Sequence, residues 1–556
     1  MIDSLVNTFK KTLSYWYEKR KQHSLVPENH YFHTYFALAS LRMQYNNYAH
    51  TVLKEYFESE TISIEFNKYA LINIYEKYRK VVSVSINDDI LKYINNDQYS
   101  VNIHTWTGNN WLFLRTLIHL KLFILSERKK EWEKFCAYFD YITQLRVNGL
   151  FYDFPSRDRS FYYKHKGIPF TYSFKMLSSL IEIYELLMQY NLDTNRAILA
   201  KNVIEECVQS HLQLIAPDGE TLYYGRSDST LFGYANVLYV LLALHKSNQD
   251  VKIYLNNVVR YVLKNYVKDG IIYRSIAYEG FKDDYIYDGV YVAYFIAKIL
   301  QAIDDTNKDY YFKYNSHNIR RCQFIRNPAG FIIKGNIFYY FISSSGCHIE
   351  RNGTDFYGYR YTGLTPLKYY SSSFKNAKSM LQIYRRHIKL PELEIPFVPR
   401  IRYYLIDASI FIFEKIMTEE NQELFKIKGI GKTEIAFRHE IFRRVFNRLK
   451  RLIPKKIYKY VAYIVQIILD NYVLPLERLI IVNKINGDIN IIDKSKRKNI
   501  RYIIPDEWSI QAEEIFILDK DEDYKIVLTK GGEVNIYSDI KYANELPSSK
   551  LRGIRG

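Results

Sequence analysis

The sequence predicts an α+β protein of two domains: an α/α toroid over residues 1–310 and an antiparallel β-sandwich over residues 311–556. Three observations predict it. Apolar residues recur at three- and four-residue steps up to about Asp305. An aromatic segment behind an Asn/Asp-Gly turn returns between the helices. Beyond about Lys313 the pattern becomes short aromatic and β-branched runs around Gly-containing turns. A chain of 556 residues, 48% hydrophobic and 25% charged, is also larger than one core usually serves.

The helical half is read first. Leu112–Leu125, Phe174–Met188, Leu231–Leu244 and Tyr285–Leu300 all carry the helical step. Asn148-Gly149 precedes Leu-Phe-Tyr-Asp153, Asp218-Gly219 precedes Glu-Thr-Leu-Tyr-Tyr224, and Asp269-Gly270 precedes Ile-Ile-Tyr-Arg274. Each time a helix ends, the turn supplies positive φ, and an aromatic strand leads to the next helix. A repeat of roughly 50–70 residues made of helix pairs buries its apolar faces on its neighbours, which implies a closed or curved array. The alternative is an irregular helical bundle with common turns. In the second half, Phe331–Phe341 around Gly335-Asn336, Leu479–Asp493 around Asn486-Gly487, and Lys525–Tyr537 around Gly531-Gly532 read as hairpins. A basic helical insertion is expected at about 435–476, with eight Lys and Arg between Arg443 and Lys459.

Charge divides unevenly. Residues 1–310 hold 36 Lys+Arg against 34 Asp+Glu; residues 311–556 hold 42 against 26, which makes up most of the net +18. The basic half suggests an anionic surface or polyanion, with Arg443–Lys459 as the contact. Nucleic acid is disfavoured, because no reading module accompanies the charge. Cys136, Cys207, Cys322 and Cys347 show no metal spacing and read as buried thiols. His30 and His33 lack a Glu or Cys companion, so no metal is expected, and no phosphate loop or dinucleotide motif calls for a cofactor. The longest apolar run, Tyr460–Leu476, is broken by Gln466, Asp470 and Asn471, so no transmembrane segment is expected. The N-terminus lacks a secretory core, so the chain as given is expected in the cytoplasm, or outside it if a leader has been trimmed.

Four clusters could carry chemistry. In Trp106-Thr-Gly-Asn-Asn-Trp111, Asn109 and Asn110 either cap the next helix or hold sugar hydroxyls beside the Trp106 and Trp111 faces. The loop Tyr152–Tyr172 concentrates Asp153, Tyr162, His165 and Tyr172, of which His165 and Tyr172 suit proton transfer. In Tyr224-Gly-Arg-Ser-Asp228, Arg226 can fork onto a carboxylate while Asp228 or Ser227 caps a helix. Tyr278–Asp288 supplies further carboxylates, among them Asp284. Charged loops and ordinary helix caps are the alternative reading of each.

The order of these segments resembles a known family. Asn109-Asn-Trp-Leu-Phe-Leu-Arg115 opens a helix, Gly149-Leu-Phe-Tyr-Asp153 follows one hairpin later, then Tyr162-Tyr163-x-His165, then Pro217-Asp-Gly-Glu-Thr-Leu-Tyr-Tyr-Gly-Arg-Ser227. This resembles bacterial (α/α)₆-toroid proteins catalogued as a domain of unknown function, which include exo-acting β-glucuronidases and are distantly similar to heparinase-type polysaccharide lyases. The likeness covers roughly residues 100–245. It implies an enzyme acting on an acidic oligo- or polysaccharide substrate that contains uronic acid.

Hydrolysis is favoured over β-elimination. For hydrolysis the carboxylates are Asp153, Asp228 and Asp284. Arg226 would grip the uronate, with Trp106, Trp111, Tyr162 and Tyr224 along the ring. For elimination Asn110 would neutralise the substrate carboxylate while His165 or Tyr172 takes the proton. No heparinase-style His-x-His-x-Asp stretch stands in the second half, which argues against a metal-assisted lyase. A third reading keeps the toroid as a non-catalytic glycan-binding or surface-polysaccharide assembly scaffold.

Overall fold

The computed structural model describes residues 1–22, 31–59, 65–96, 109–153, 168–224, 230–245, 249–273, 285–305 and 312 in the helical half. In the second half it describes 323–327, 329–335, 338–344, 347–351, 355–361, 364, 366–371, 404–406, 411–433, 436–438, 454, 457, 474–487, 489–495, 501–505, 509–510, 515–516, 524–528 and 533–535. These residues separate into two compact units, one holding the helices and the other the larger sheets.

The first unit contains helices α1 (Ile2–Gln22), α2 (Phe32–Arg42), α3 (Asn46–Glu58), α4 (Glu65–Tyr78), α5 (Val84–Ile94), α6 (Asn109–Ser126) and α7 (Lys129–Ile142). The hairpin β1 (Arg146–Val147) and β2 (Leu150–Phe151) precedes α8 (Phe170–Gln189), α9 (Thr194–Gln213), α10 (Leu231–His245) and α11 (Gln249–Tyr266). A second hairpin, β3 (Val267–Lys268) and β4 (Ile271–Ile272), precedes α12 (Tyr285–Asp305). The even-numbered helices pack in sequence, α2 on α4, α4 on α6, α6 on α8, α8 on α10 and α10 on α12, and α12 returns to α2. Each also packs on the helix that follows it: α3, α5, α7, α9 and α11 back the first five, and α1 contacts α11 and α12. The ring of six inner helices is closed, which decides for the toroid over an irregular bundle.

Residue choice explains which helices are inside. α10, Leu-Phe-Gly-Tyr-Ala-Asn-Val-Leu-Tyr-Val-Leu-Leu-Ala-Leu-His, is buried on all sides and carries no acid or lysine. Outer α5 buries only Ile86, Ile90 and Ile94, one stripe at four-residue steps. The four helices with the strongest apolar signal are all inner ones. Outer α1 is pinned from the far end of the unit's sequence: Trp16 Nε1–H donates to the Ile272 carbonyl at 3.1 Å, and Ile272 N–H donates to Thr12 Oγ at 3.0 Å.

The recurring turn forms at all three positions and closes a strand hairpin at two of them. Asn148 and Gly149 (φ 47° and 78°) close β1–β2, and Asp269 and Gly270 (φ 51° and 73°) close β3–β4. At the third, Ala216 and Glu220 bond around Gly219, but the segment after it pairs with no strand among the described residues. There the backbone packs against α11 instead; a Cβ on Gly219 would stand 2.1 Å from the Asn257 carbonyl oxygen.

The second unit holds β5 (Gln323–Asn327), β6 (Gly330–Lys334), β7 (Phe338–Ser343), β8 (Cys347–Arg351), β9 (Asp355–Tyr361), β10 (Pro366–Ser371), β11 (Tyr404–Ile406), β12 (Phe411–Glu420), β13 (Leu424–Thr433) and β14 (Ala436–Arg438). It continues through β15 (Leu474–Asn483), β16 (Ile489–Ser495), β17 (Arg501–Pro505), β18 (Ser509–Ile510), β19 (Ile515–Phe516), β20 (Tyr524–Leu528) and β21 (Glu533–Asn535). A four-stranded antiparallel sheet has the order β10-β7-β6-β5, and a five-stranded one β12-β13-β15-β16-β21; β8–β9, β11–β14, β17–β20 and β18–β19 pair separately. The two larger sheets touch through Phe324 and Phe425, whose ring centres lie 5.4 Å apart, and through the Tyr340 hydroxyl, which donates to the Gly487 carbonyl. These contacts join two antiparallel sheets without by themselves making the expected sandwich.

Two of the three expected hairpins form, β6–β7 and β15–β16. The third does not: β20 pairs with β17, and β21 pairs with β16. The sequence turn Gly531-Gly532 separates two strands that each find a partner elsewhere. Of the expected basic helical insertion at about 435–476, Ala436–Arg438 form β14 and Leu474–Leu476 belong to β15 rather than to a helix, and the rest lies outside the described residues apart from Pro454 and Ile457.

Candidate functional site

Short links between α2, α4, α6, α8 and α10 and the outer helix that follows each force antiparallel pairs, so these inner helices run in one direction around the ring. Their first turns meet at one end of the axis. Tyr31 precedes α2, Phe66 lies on α4, Trp111 on α6, Tyr172 on α8 and Phe232 on α10. Tyr31 stacks on Phe66 with ring centres 4.5 Å apart, and Trp111 meets Phe66 edge-on at 5.1 Å. Phe232 lies 6.0 Å from Phe66, 6.4 Å from Tyr172 and 4.5 Å from Tyr294 of α12. Tyr31 before α2, rings in the first turns of α4, α6, α8 and α10, and Tyr294 from the third turn of α12 therefore form one aromatic floor across the axis. Tyr31 and Trp111 are half-buried, and the other rings are buried.

Asp153 lies at the α6 edge of this floor. Its carboxylate is fully buried and its Oδ1 accepts from the Asn110 backbone N–H at 3.0 Å and from the Asn110 side-chain amide at 2.6 Å. The Asp153 carbonyl accepts from Asn109 N–H, and the Asn109 amide donates to the Tyr152 carbonyl at 2.6 Å. A carboxylate from the segment after β2 thus caps the α6 N-terminus, where the helix dipole favours a negative charge. Both asparagines use their amides to tie α6 to that segment.

Directly beneath the rings stands Lys175 on α8, 2% exposed. Its ammonium lies 5.9 Å from the centres of both Phe66 and Tyr294. Among the described residues it donates one hydrogen bond, to Ser179 Oγ at 3.2 Å. Burial, joined by the charge of Lys298, pulls Lys175 down to about 7, against a weaker opposite pull from Glu182. Beside it Asn236 of α10 accepts from the hydroxyls of Ser178 and Tyr294 at 2.8 and 3.0 Å.

One layer further along the axis, Glu182 of α8 gathers three other inner helices. It accepts from the Tyr69 hydroxyl of α4 at 2.6 Å and from Lys298 of α12 at 3.1 Å, and Lys121 of α6 lies 3.6 Å away. Burial alone would raise Glu182, but the charges of Lys298 and Lys121 and the Tyr69 bond outweigh it and hold the carboxyl at about 2. It is ionised at any ordinary pH. Lys298 also lies over the Tyr239 ring at 3.9 Å, and Tyr239 donates to Glu185 at 3.1 Å.

Of the residues singled out in the sequence, Trp111 and Tyr172 belong to the floor, and Asn109, Asn110 and Asp153 form the α6 cap beside it. Tyr224 is counted with the second unit; it is buried with its ring edge-on to Phe341 at 5.5 Å. Trp106, Tyr162, His165, Arg226, Asp228 and Asp284 lie outside the described residues. Lys175 and Glu182 went unnoticed in the sequence, although Tyr172, Lys175, Glu182 and Glu185 share one face of an otherwise apolar helix. Among the described residues no group of three or more acids, histidines and cysteines could hold a metal ion.

His211 has a structural part. His211 is fully buried; Ser173 donates to its Nε2 at 2.9 Å and its Nδ1–H donates to the Cys207 carbonyl at 2.8 Å. Ser173 Oγ in turn accepts from Phe151 N–H at 3.0 Å, so this serine and histidine pair braces α8, α9 and β2. Burial pulls both His211 and His33 down to about 4.

No known family profile matches the chain, and no curated protein sequence matches it significantly. Solved structures give weak likenesses. A polysaccharide lyase is 14% identical, with a TM-score of 0.39, covering 54% of this chain and 97% of its own. A family 88 glycosyl hydrolase from Bacteroides vulgatus is 12% identical, with a TM-score of 0.40, covering 54% and 99%. A family 105 glycoside hydrolase from C. acetobutylicum is 15% identical, with a TM-score of 0.39, covering 54% and 99%. Likenesses at this level fix no activity, and the reading below rests on the chain's own residues.

Proposed function

We propose that this chain is a carbohydrate-active enzyme that cleaves uronate-containing glycans, by hydrolysis rather than by β-elimination. The observation that carries the reading is the aromatic floor at the N-terminal end of the inner ring, with a cation beneath it and a carboxylate at its edge. Aromatic faces take the C–H face of a sugar ring, and Tyr31 and Trp111 are the partly exposed ones. Hydrolysis is favoured because Asp153 is a carboxylate at the floor, while the Asn110 amide that elimination would need already serves Asp153. Arg226, Asp228 and Asp284 are proposed as the remaining uronate-binding and carboxylate groups, and His165 as a proton carrier.

The test is incubation with a panel of uronate oligosaccharides, read by new reducing ends and by absorbance in the near ultraviolet. Hydrolysis gives reducing ends alone, whereas elimination adds an unsaturated, absorbing product. Asp153→Asn should lower turnover at least a hundredfold for a proton-transfer or nucleophilic role. Turnover of no panel member would refute the enzyme reading. Binding without turnover would favour the non-catalytic scaffold, for which the same floor suffices.

A further inference from the structure

We infer that Lys175 sets the charge preference of the aromatic floor: it is a positioning residue that selects carboxylate-bearing sugars from beneath Phe66 and Tyr294 without touching them. The inference rests on the glycan reading above and deepens it.

Lys175 has no evident structural task. A buried ammonium is costly unless paired, and this one has a single serine hydroxyl as its hydrogen-bond partner among the described residues. Among the described residues it is absent from the ion pairs of the axis. Glu182, seven residues along the same helix, is about 10 Å further down the axis. That carboxylate is already bonded to Tyr69 and Lys298. Methionine or leucine would fill the place at lower cost. What the ammonium does have is position, centred between two floor rings that hold water off it. A cation behind such a layer is poorly screened. At about 8–12 Å and an effective dielectric of about 20, a unit charge favours a carboxylate on the floor roughly tenfold to thirtyfold over a neutral group.

The charge is also adjustable near neutral pH. Lys175 titrates near 7. Among the described residues the other charged groups facing the axis are Glu182 and Glu185 on α8, Lys298 on α12 and Lys121 on α6. From α2, α4 and α12 the remaining titratable neighbours are Tyr31, Tyr35, Tyr69 and Tyr294, all pushed up by burial and neutral. Tyr239 and Asn236 face it from α10. Affinity for an anionic sugar should therefore fall as pH rises through about 7 to 8, while affinity for a neutral one should not.

The experiment measures dissociation constants of the full chain for glucuronate, galacturonate and mannuronate oligosaccharides and for the carboxyl-reduced form of each, between pH 6 and 9. At pH 6 the acid should bind roughly ten- to thirtyfold tighter than its reduced form, and the ratio should shrink towards pH 9. Lys175→Met should abolish the ratio and its pH dependence while leaving affinity for the reduced sugar unchanged. Lys175→Arg should keep the ratio and lose only the pH dependence. Melting curves establish that each variant is folded. An acid-to-neutral ratio unchanged in Lys175→Met overturns the inference and leaves the glycan reading standing. Binding of neither acid nor reduced sugar overturns both.

Discussion

Replacing Glu182 by glutamine should destabilise the toroid by about 3 kcal/mol. Two routes to the magnitude agree. The carboxyl lies at about 2 in the folded chain against an ordinary 4.5. That difference is worth roughly 3–4 kcal/mol at 1.4 kcal/mol per unit. Independently, removing one partner of a buried ion pair costs about 3–5 kcal/mol, because the other is left unpaired. Here Lys298, at 2% side-chain exposure, would lose its carboxylate, while Lys121 keeps Glu76 at 3.3 Å. The assay is thermal and urea unfolding followed by far-ultraviolet circular dichroism, which reports mainly the helices. The midpoint should drop by roughly 5–10 °C at pH 7. Because the folded state holds the carboxyl below its unfolded value, its contribution is complete above about pH 4.5 and disappears as pH falls towards 2. Wild type and Glu182→Gln should therefore converge in acid. The double variant Glu182→Gln, Lys298→Met should recover part of the loss. An unchanged midpoint at pH 7, or strictly additive single effects, would refute the idea that this carboxylate ties the inner helices together.

Two further outcomes are expected. Gly219→Ala places a Cβ against the Asn257 carbonyl at φ +90°, so it should cost about 2–3 kcal/mol, read as a lowered urea midpoint; a neutral effect would mean the turn relaxes freely. His33 and His211 are held neutral by burial at about 4, so the unfolded chain takes up more protons than the folded one between about pH 6.5 and 4. Stability should fall as pH falls across that window, and His211→Phe should flatten part of the slope in a series of urea midpoints taken between pH 7 and 4.

The ease with which elements could be read tracked how far each depends on partners distant in sequence. α6, α8, α10 and α12 were readable because their apolar residues recur on nearly every face, the mark of a helix surrounded by others. The Asn/Asp-Gly turns at 148 and 269 were readable because both residues adopt positive φ, which few residue types tolerate. The turn at 531–532 misled, since local chemistry says where a chain reverses and β20 and β21 chose their partners from the whole unit. The α6 cap was half legible: Asn109 and Asn110 announced a helix start, but Asp153 lies 43 residues away and only the fold brings it there. Lys175 and Glu182 were hidden for a different reason. A charge on a helix ordinarily marks the solvent face, and a one-dimensional pattern cannot show that α8 has no such face.

Ring closure has a cost in time as well as a gain in burial. Arg42 at the end of α2 pairs with Asp304 at the end of α12, 262 residues later. At a synthesis rate of about 5–20 residues per second, α2 waits roughly 13 to 52 seconds for its neighbour to exist. Through that interval the chain is an open arc whose first inner helix presents Phe32, Tyr35, Phe36 and Leu38 with one side unclaimed. The α2–α12 seam can thus close only once the last helix of the ring has been made. A truncation within α12 would accordingly be felt first at the N-terminus, as protease sensitivity of α2.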